Sequence, residues 1–330
     1  MDASQTGKTK IAGRFYRIPV LSFLTRYYIQ SLLAVSAIVL AIVNPYFRTV
    51  ANLENILLQS SFAGIGAAGM TLLIVSGAFD LSVAGLLGLC GVLISEFLPS
   101  LGAVLSMVIA VFFGVLLGSL NGIVVTKLRI PAFIATLGMM NIYLALAFIW
   151  TQGSRVISVL DSSFNILGTG TLFGVFPIPF LVMIVTYFVC YVILNRSVYG
   201  RCLRAVGSSE IAARTSGLPV DLIRILAFAI VGGCTALAGV FLTAELSSAS
   251  AIMASGYELT VIAVVVIGGT SLKGGEGTLF GSFAGSLFFA VVSSALNILN
   301  VGAYWQYVVT GIFLISALGV QALRNRILVE

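Results

Sequence analysis

Residues 195–224 read NRSVYGRCLRAVGSSEIAARTSGLPVDLIR. Five arginines, a glutamate and an aspartate are gathered here between long apolar runs. The whole chain of 330 residues is 59% hydrophobic and 8% charged, with a mean hydropathy of +1.14. A soluble domain carries about 25% charged residues. So little polar surface cannot cover a soluble core of this size, so the composition defines an integral membrane protein. The thirty-residue loop is then the part of the chain that must work in water.

A bilayer core of about 30 Å takes about 20 apolar residues per helix. That ruler gives an all-α polytopic bundle of about ten spans, near 27–43, 56–76, 82–98, 103–126, 132–150, 176–194, 225–244, 258–269, 278–297 and 304–322. The second contains AGIGAAG and the eighth ends in IGGTSLKGGEG, so either is a candidate broken or re-entrant helix. The basic N-terminus runs into an apolar stretch too long for an ordinary signal-peptide core, which predicts an uncleaved first span. No shift in composition marks a second domain, so residues 1–330 read as one membrane domain.

Lys and Arg collect on the cytoplasmic side of membrane proteins. With the N-terminus inside, fifteen of the seventeen cations fall on cytoplasmic segments, and only Arg48 and Arg155 fall outside. Both termini and the 195–224 loop are therefore expected in the cytoplasm. The net charge of +6 reports orientation in the membrane and does not imply a nucleic-acid partner.

Several chemistries are excluded or weakened. The chain has no histidine, the commonest metal ligand and acid/base catalyst, and Cys90, Cys190, Cys202 and Cys234 lack metal spacing. No metal or other cofactor is expected, and no catalytic constellation is found. Gly64, Gly66 and Gly69 spell GxGxxG, but inside an apolar span, where close helix packing is the better reading than dinucleotide binding. GGTSLKGG lacks the terminal order of a Walker A loop. Asp80, Glu96, Glu245 and Glu258 all fall at span ends, which argues against an intramembrane proton relay. Gly114, Gly118 and Gly122, and again Gly277, Gly281 and Gly285, place small residues on one helix face at four-residue spacing, a pattern for close helix approach. The two tracts suit either a duplicated bundle or the ordinary abundance of glycine in membrane helices.

Within the loop, Ser208 and Ser209 are candidate N-caps, Glu210 occupies a first turn, Gly217 fits the position after the helix, and Pro219 prevents continuation. The helix so bounded has about two turns, and Ile211, Thr215 and Leu218 share one face of it. So short a helix must dock on something, either its own bundle or a partner's groove. In GAFDLSVAG, residues 77–85, Asp80 and Ser82 are placed either to cap a helix or to stand at the cytoplasmic mouth of a pathway.

EIAARTSG resembles the cytoplasmic coupling helix of ATP-binding-cassette (ABC) importer permeases. The wider resemblance is to ribose-type sugar permeases. It runs through GAFDLSVAG, GSLNGIVVTKLRIPAFIATLG, YGRCLRAVGSSEIAARTSGLPVDLIRI, YELTVIAVVVIGGTSLKGGEGTLFGSFAG and WQYVVTGIFLISAL, between residues 77 and 318. Ala84 replaces a usual Gly, and Leu144-Ala145 a frequent Arg-Gly. The resemblance implies a second permease chain, a cytoplasmic ATP-binding subunit that hydrolyses ATP, and a periplasmic sugar-binding protein at the bacterial inner membrane. It implies ATPase coupling through Ser209, Glu210, Ala213 and Gly217.

The neutral polar residues of the spans, Asn121, Thr136, Asn141, Ser286 and Asn297, suit a neutral polyol, since a charged substrate would want a buried counter-charge. Asp80, Asn121, Thr136 and Asn141 are the candidate pathway residues. The rival readings are a branched-chain amino-acid permease of the same superfamily and an ion-coupled secondary transporter.

Overall fold

The structure is a computed structural model that describes residues 28–153, 156–159, 161–302 and 304–329. The N-terminal cations up to Arg26, and Arg155, lie outside the described residues.

The helices follow the apolar runs. They are α1 (Tyr28–Val43), α2 (Val50–Val75), α3 (Val83–Lys127), α4 (Ala132–Trp150), α5 (Ser162–Thr169) and α6 (Ile178–Arg196). Then come α7 (Val198–Ser208), α8 (Glu210–Thr215), α9 (Val220–Leu246), α10 (Tyr257–Ile267), α11 (Leu279–Ile298) and α12 (Tyr304–Val329). Six of the described helices, α2, α3, α4, α6, α9 and α11, are long and apolar enough to cross a membrane. The chain is an all-α multi-pass membrane protein.

The 45-residue α3 is not one rod. Gly102 sits inside it at φ 73 and ψ 170, three residues after Pro99. Asn121 Nδ2 donates to Ser82 Oγ at 2.7 Å, although 39 residues separate them. At 1.5 Å per residue a straight helix would hold these residues about 58 Å apart. The two arms, 83–101 and 103–127, therefore run antiparallel about the Gly102 bend. They correspond to the third and fourth expected spans.

The other irregularities differ from expectation in one case and sharpen it in another. α2 is a continuous 26-residue helix despite its glycines, and its most apolar stretch is 78% buried against 22% for that of α3. The glycines make α2 the central helix of the bundle: Gly64 meets Met183, Gly66 meets the Tyr257 hydroxyl, and Gly69 meets Cys234. Small residues admit these neighbours, so α2 had no need to break. α10, by contrast, has only 11 residues, about 16 Å of helix against a hydrocarbon core of about 30 Å. Gly256 at φ 82 precedes it, and Gly268 and Gly269 (φ 92) end it.

Both glycine tracts are packing seams. A Cβ on Gly122 would stand 2.7 Å from Ile225 Cα, and one on Gly114 would stand 2.6 Å from the Gly232 carbonyl, so α3 and α9 pack backbone to backbone. Gly285 meets the Val264 carbonyl in the same way, joining α11 to α10. Such contacts suit a membrane interior, where packing and not water exclusion holds helices together.

At the end of the bundle remote from the polar loop, Ile157–Ser158 pairs antiparallel with Ser248–Ala249. α5 lies over the end of α9, with Gly168 against the Glu245 backbone. A second two-residue ladder joins Thr171–Leu172 to Phe176–Pro177.

Candidate functional site

The polar loop folds into two short helices. The first, α7, was not foreseen; Ser197 caps it by accepting from Gly200 N–H at 3.1 Å. Ser208 ends α7 and donates to the Arg204 carbonyl, so it is not a cap of α8. Ser209 is: its Oγ accepts from Ala212 N–H at 3.3 Å. At the other end Gly217 stands at φ 80, its N–H donating to the Arg214 carbonyl and the Leu218 N–H to the Ala213 carbonyl. Those two bonds close a Schellman motif, which needs the left-handed conformation that glycine adopts freely.

α8 meets its own bundle through Ala213 and Leu218, not through the full apolar face marked by the spacing. Ala213 is buried and Leu218 packs against the main core, whereas Thr215 is exposed and Ile211 is 79% exposed. The small Ala213 lets the helix backbone come close to the bundle, and Ile211 is left pointing away from it.

Charges lock the helix in place. Arg224 Nη1 donates to Glu210 Oε2 at 2.6 Å, Arg214 pairs with Glu210 at 3.0 Å and with Asp221 at 2.6 Å, and Lys127 reaches Asp221 at 3.3 Å. This chain of pairs joins α8, the start of α9 and the end of α3. Exposed i,i+4 pairs such as Glu210–Arg214 are worth about 0.3–0.5 kcal/mol. The Arg224 side chain is only 17% exposed, so its pair is less screened and is the stronger anchor. Burial works to raise the Glu210 pKa, but the hydrogen bonds and charges of Arg224 and Arg214 outweigh it and hold the carboxyl below its ordinary range. Arg224 Nε also donates to the Ser76 carbonyl at 3.4 Å, just past the end of α2.

Four residues beyond Ser76 lies a buried polar cluster. Asp80 is fully buried just before the start of α3. Its Oδ1 accepts from Ser82 N–H at 2.7 Å and its Oδ2 from Asn121 Nδ2 at 3.0 Å. Asn121 Oδ1 accepts from the Tyr143 hydroxyl at 2.7 Å. Thr136 Oγ1 accepts from Leu81 N–H at 3.1 Å. Three candidate pathway residues, Asp80, Asn121 and Thr136, thus converge. Asn141 does not: it is exposed and donates only to Leu137 of its own helix. Sequence reasoning missed Tyr143, although it lies seven residues after Thr136 and so on the same face of α4. It also missed the pairing roles of Arg224, Asp221 and Lys127.

On the side of the bundle away from the loop, α2, α10, α11 and α12 line a half-open pocket of about 360 Å³. None of the described residues that line it is charged.

The chain is thus a polytopic membrane bundle with a folded polar loop at one end and an uncharged pocket toward the other. The family profile described as "Branched-chain amino acid transport system / permease component" matches residues 52–318. The ribose import permease protein RbsC of Escherichia coli strain K12 is 37% identical, over 87% of this chain and 90% of its own length. RbsC of Haemophilus influenzae is 35% identical over 84% of this chain and 87% of its own length. The L-arabinose transport system permease protein AraH of Escherichia coli strain K12 is 36% identical over 86% of each. No solved structure matches the chain. The chain belongs to this permease family and is the membrane-spanning permease subunit of an ABC importer.

Proposed function

We propose that this permease forms the translocation pathway for a monosaccharide or a similar small neutral polyol. The relatives named for ribose and arabinose support that substrate class, as does the uncharged lining of the cavity. The single observation that carries the coupling part is the posture of α8: anchored through Ala213 and the Glu210–Arg224 pair, yet with Ile211 turned outward. An outward apolar residue on a charge-locked helix suits a groove on a cytoplasmic ATP-binding subunit. Ser209 and Gly217 set the ends of that helix, and Glu210 and Ala213 hold it.

In this reading residues 1–330 form one domain of ten membrane segments: α1, α2, the two arms of α3, α4, α6, α9, the half-length re-entrant α10, α11 and α12. Both termini lie in the cytoplasm of a bacterial inner-membrane protein. ATP is hydrolysed by the separate subunit, and this chain needs no cofactor. A periplasmic sugar-binding protein delivers substrate over the outer loops around 45–55 and 151–175, and a second permease chain completes the pathway. Movement of α8 reaches the bundle through Arg224 and Ser76. Asp80, Asn121 and Thr136 form the closed inner barrier four residues further on, and Asn141 faces the second permease chain.

The test is reconstitution with the partner subunits. The expected result is ATP-dependent import of a neutral pentose or hexose. Import of amino acids or organic anions with no sugar moved would overturn the substrate, and import without the ATP-binding subunit would restore the secondary-transporter alternative.

A further inference from the structure

We infer that the cavity between α2, α10, α11 and α12 is a built sugar-holding chamber that contributes selectivity of its own; this rests on the sugar-import reading above. Its location is the first argument. The Gln59 wall belongs to the first half of α2, whereas the Val75 end of α2 accepts from Gly275 N–H and stands against Gly207 beside the polar loop. The chamber therefore lies toward the face opposite the coupling helix, where substrate enters.

Its chemistry is the second argument. About 360 Å³ is at the small end of the roughly 300–1,000 Å³ typical of small-molecule sites. Two side-chain amides line it, each already oriented by a neighbour. Gln306 Oε1 accepts from the Ser293 hydroxyl at 3.3 Å and its Nε2 donates to Asn297 Oδ1 at 2.9 Å. Gln59 Nε2 donates to Asn55 Oδ1 at 2.9 Å. An amide carries two N–H donors and two acceptor lone pairs, so each Gln keeps capacity for a ligand hydroxyl in a fixed direction. Phe289 and Tyr307 add aromatic walls against which the C–H face of a sugar ring can pack. Tyr257 completes the floor: its hydroxyl donates to the Phe62 carbonyl at 3.0 Å, and Gly66 leaves room for it. With no charged lining residue, organic ions gain no counter-charge here, while hydroxyl groups find paired donors and acceptors.

The experiment is ATP-dependent uptake of radiolabelled neutral pentoses and hexoses by proteoliposomes holding the full complex. It compares wild type with Gln59→Leu, Gln306→Leu and Ala63→Leu, each checked for assembly with its ATP-binding subunit. Each Gln variant is expected to import about tenfold more slowly, the scale of one lost hydrogen bond. Ala63→Leu, which narrows the chamber, is expected to slow hexoses more than pentoses. Assembled variants that import every sugar at the wild-type rate overturn the chamber and leave the sugar-import reading standing. A wild-type complex that imports none of the panel overturns both. Where a variant fails to assemble, Ser293→Cys in a background free of the native cysteines decides: alkylation slowed by the imported sugar supports the chamber, and alkylation unaffected by it overturns the chamber.

Discussion

The Glu210 carboxylate and the Arg224 guanidinium lie 2.6 Å apart, and the same arginine reaches the Ser76 carbonyl 148 residues away in sequence. Through one side chain the short α8 is tied to the end of the central helix. Glu210→Arg would set three cations, at 210, 214 and 224, against one another and expel α8. The expected outcome is loss of import, with the chain still inserted and its ATP-binding subunit lost on purification. Arg214→Ala should be milder than Arg224→Ala, because Arg214 makes exposed pairs. Normal import by Glu210→Arg would reduce the loop to a lid.

The same pair carries a pH signature. Because the folded-state pKa of Glu210 is lowered, its stabilisation is complete above the unfolded value of about 4.3 and disappears as pH falls through the lower folded value. The gap in Tm between wild type and Glu210→Gln, measured in detergent, should be constant from neutral pH to about pH 5 and close below about pH 4. A gap that widens on acidification would contradict the pairing.

Gly217 tests the backbone alone. It stands at φ 80, and an added Cβ would meet nothing within 4 Å, so the cost of substitution is conformational and not steric crowding. Gly217→Val should cost about 1–2 kcal/mol locally and impair import. Gly217→Asn, which tolerates the left-handed region, should retain most activity. Equal import by the two variants would remove the capping argument.

In the buried cluster, Asn121→Leu strips a partner from both Asp80 and Tyr143. The Tyr143 hydroxyl can still donate to the Leu117 carbonyl at 3.0 Å, but Asp80 Oδ2 is left without its Asn121 donor. A buried group left unsatisfied costs about 1–3 kcal/mol, so the variant should melt below wild type. Asn141→Leu, at an exposed site bonded only within its helix, should be nearly neutral. Thermal denaturation of the purified chains, monitored by thiol-reactive dye or tryptophan fluorescence, compares them.

Orientation is checked by thiol labelling in a background without the native cysteines. Ser208 and Ser100 are both exposed, at opposite ends of the bundle. Ser208→Cys should resist a membrane-impermeant reagent in intact cells and Ser100→Cys should react. Reversed labelling would invert the topology and the coupling argument with it.

Much of this protein was legible in advance because it is local physics. Ser209 and Gly217 bounded α8 correctly since capping is decided within a few residues of the helix end. The apolar runs marked the helices, and the gap left between the third and fourth expected spans fell at the Pro99–Gly102 bend of one hairpin. The spacing left open what receives the apolar face of α8: such a triplet identifies a face but not the surface it meets, and the bundle accepts Ala213, whose small side chain permits close approach, while Ile211 stays outside. Likewise the glycines of α2 looked like breaks, yet they admit Met183, Tyr257 and Cys234 to a continuous helix.

The sequence by itself determined a membrane bundle, a capped polar loop and neutral spans, because hydropathy, charge placement and capping act along the chain. Only the tertiary structure decided that Asp80 meets Asn121, that Arg224 anchors Glu210 while touching Ser76, and that Gln59 and Gln306 share a chamber. These residues come together by the way glycine seams and the Gly102 bend set the helices side by side, and no pattern along the chain specifies that arrangement.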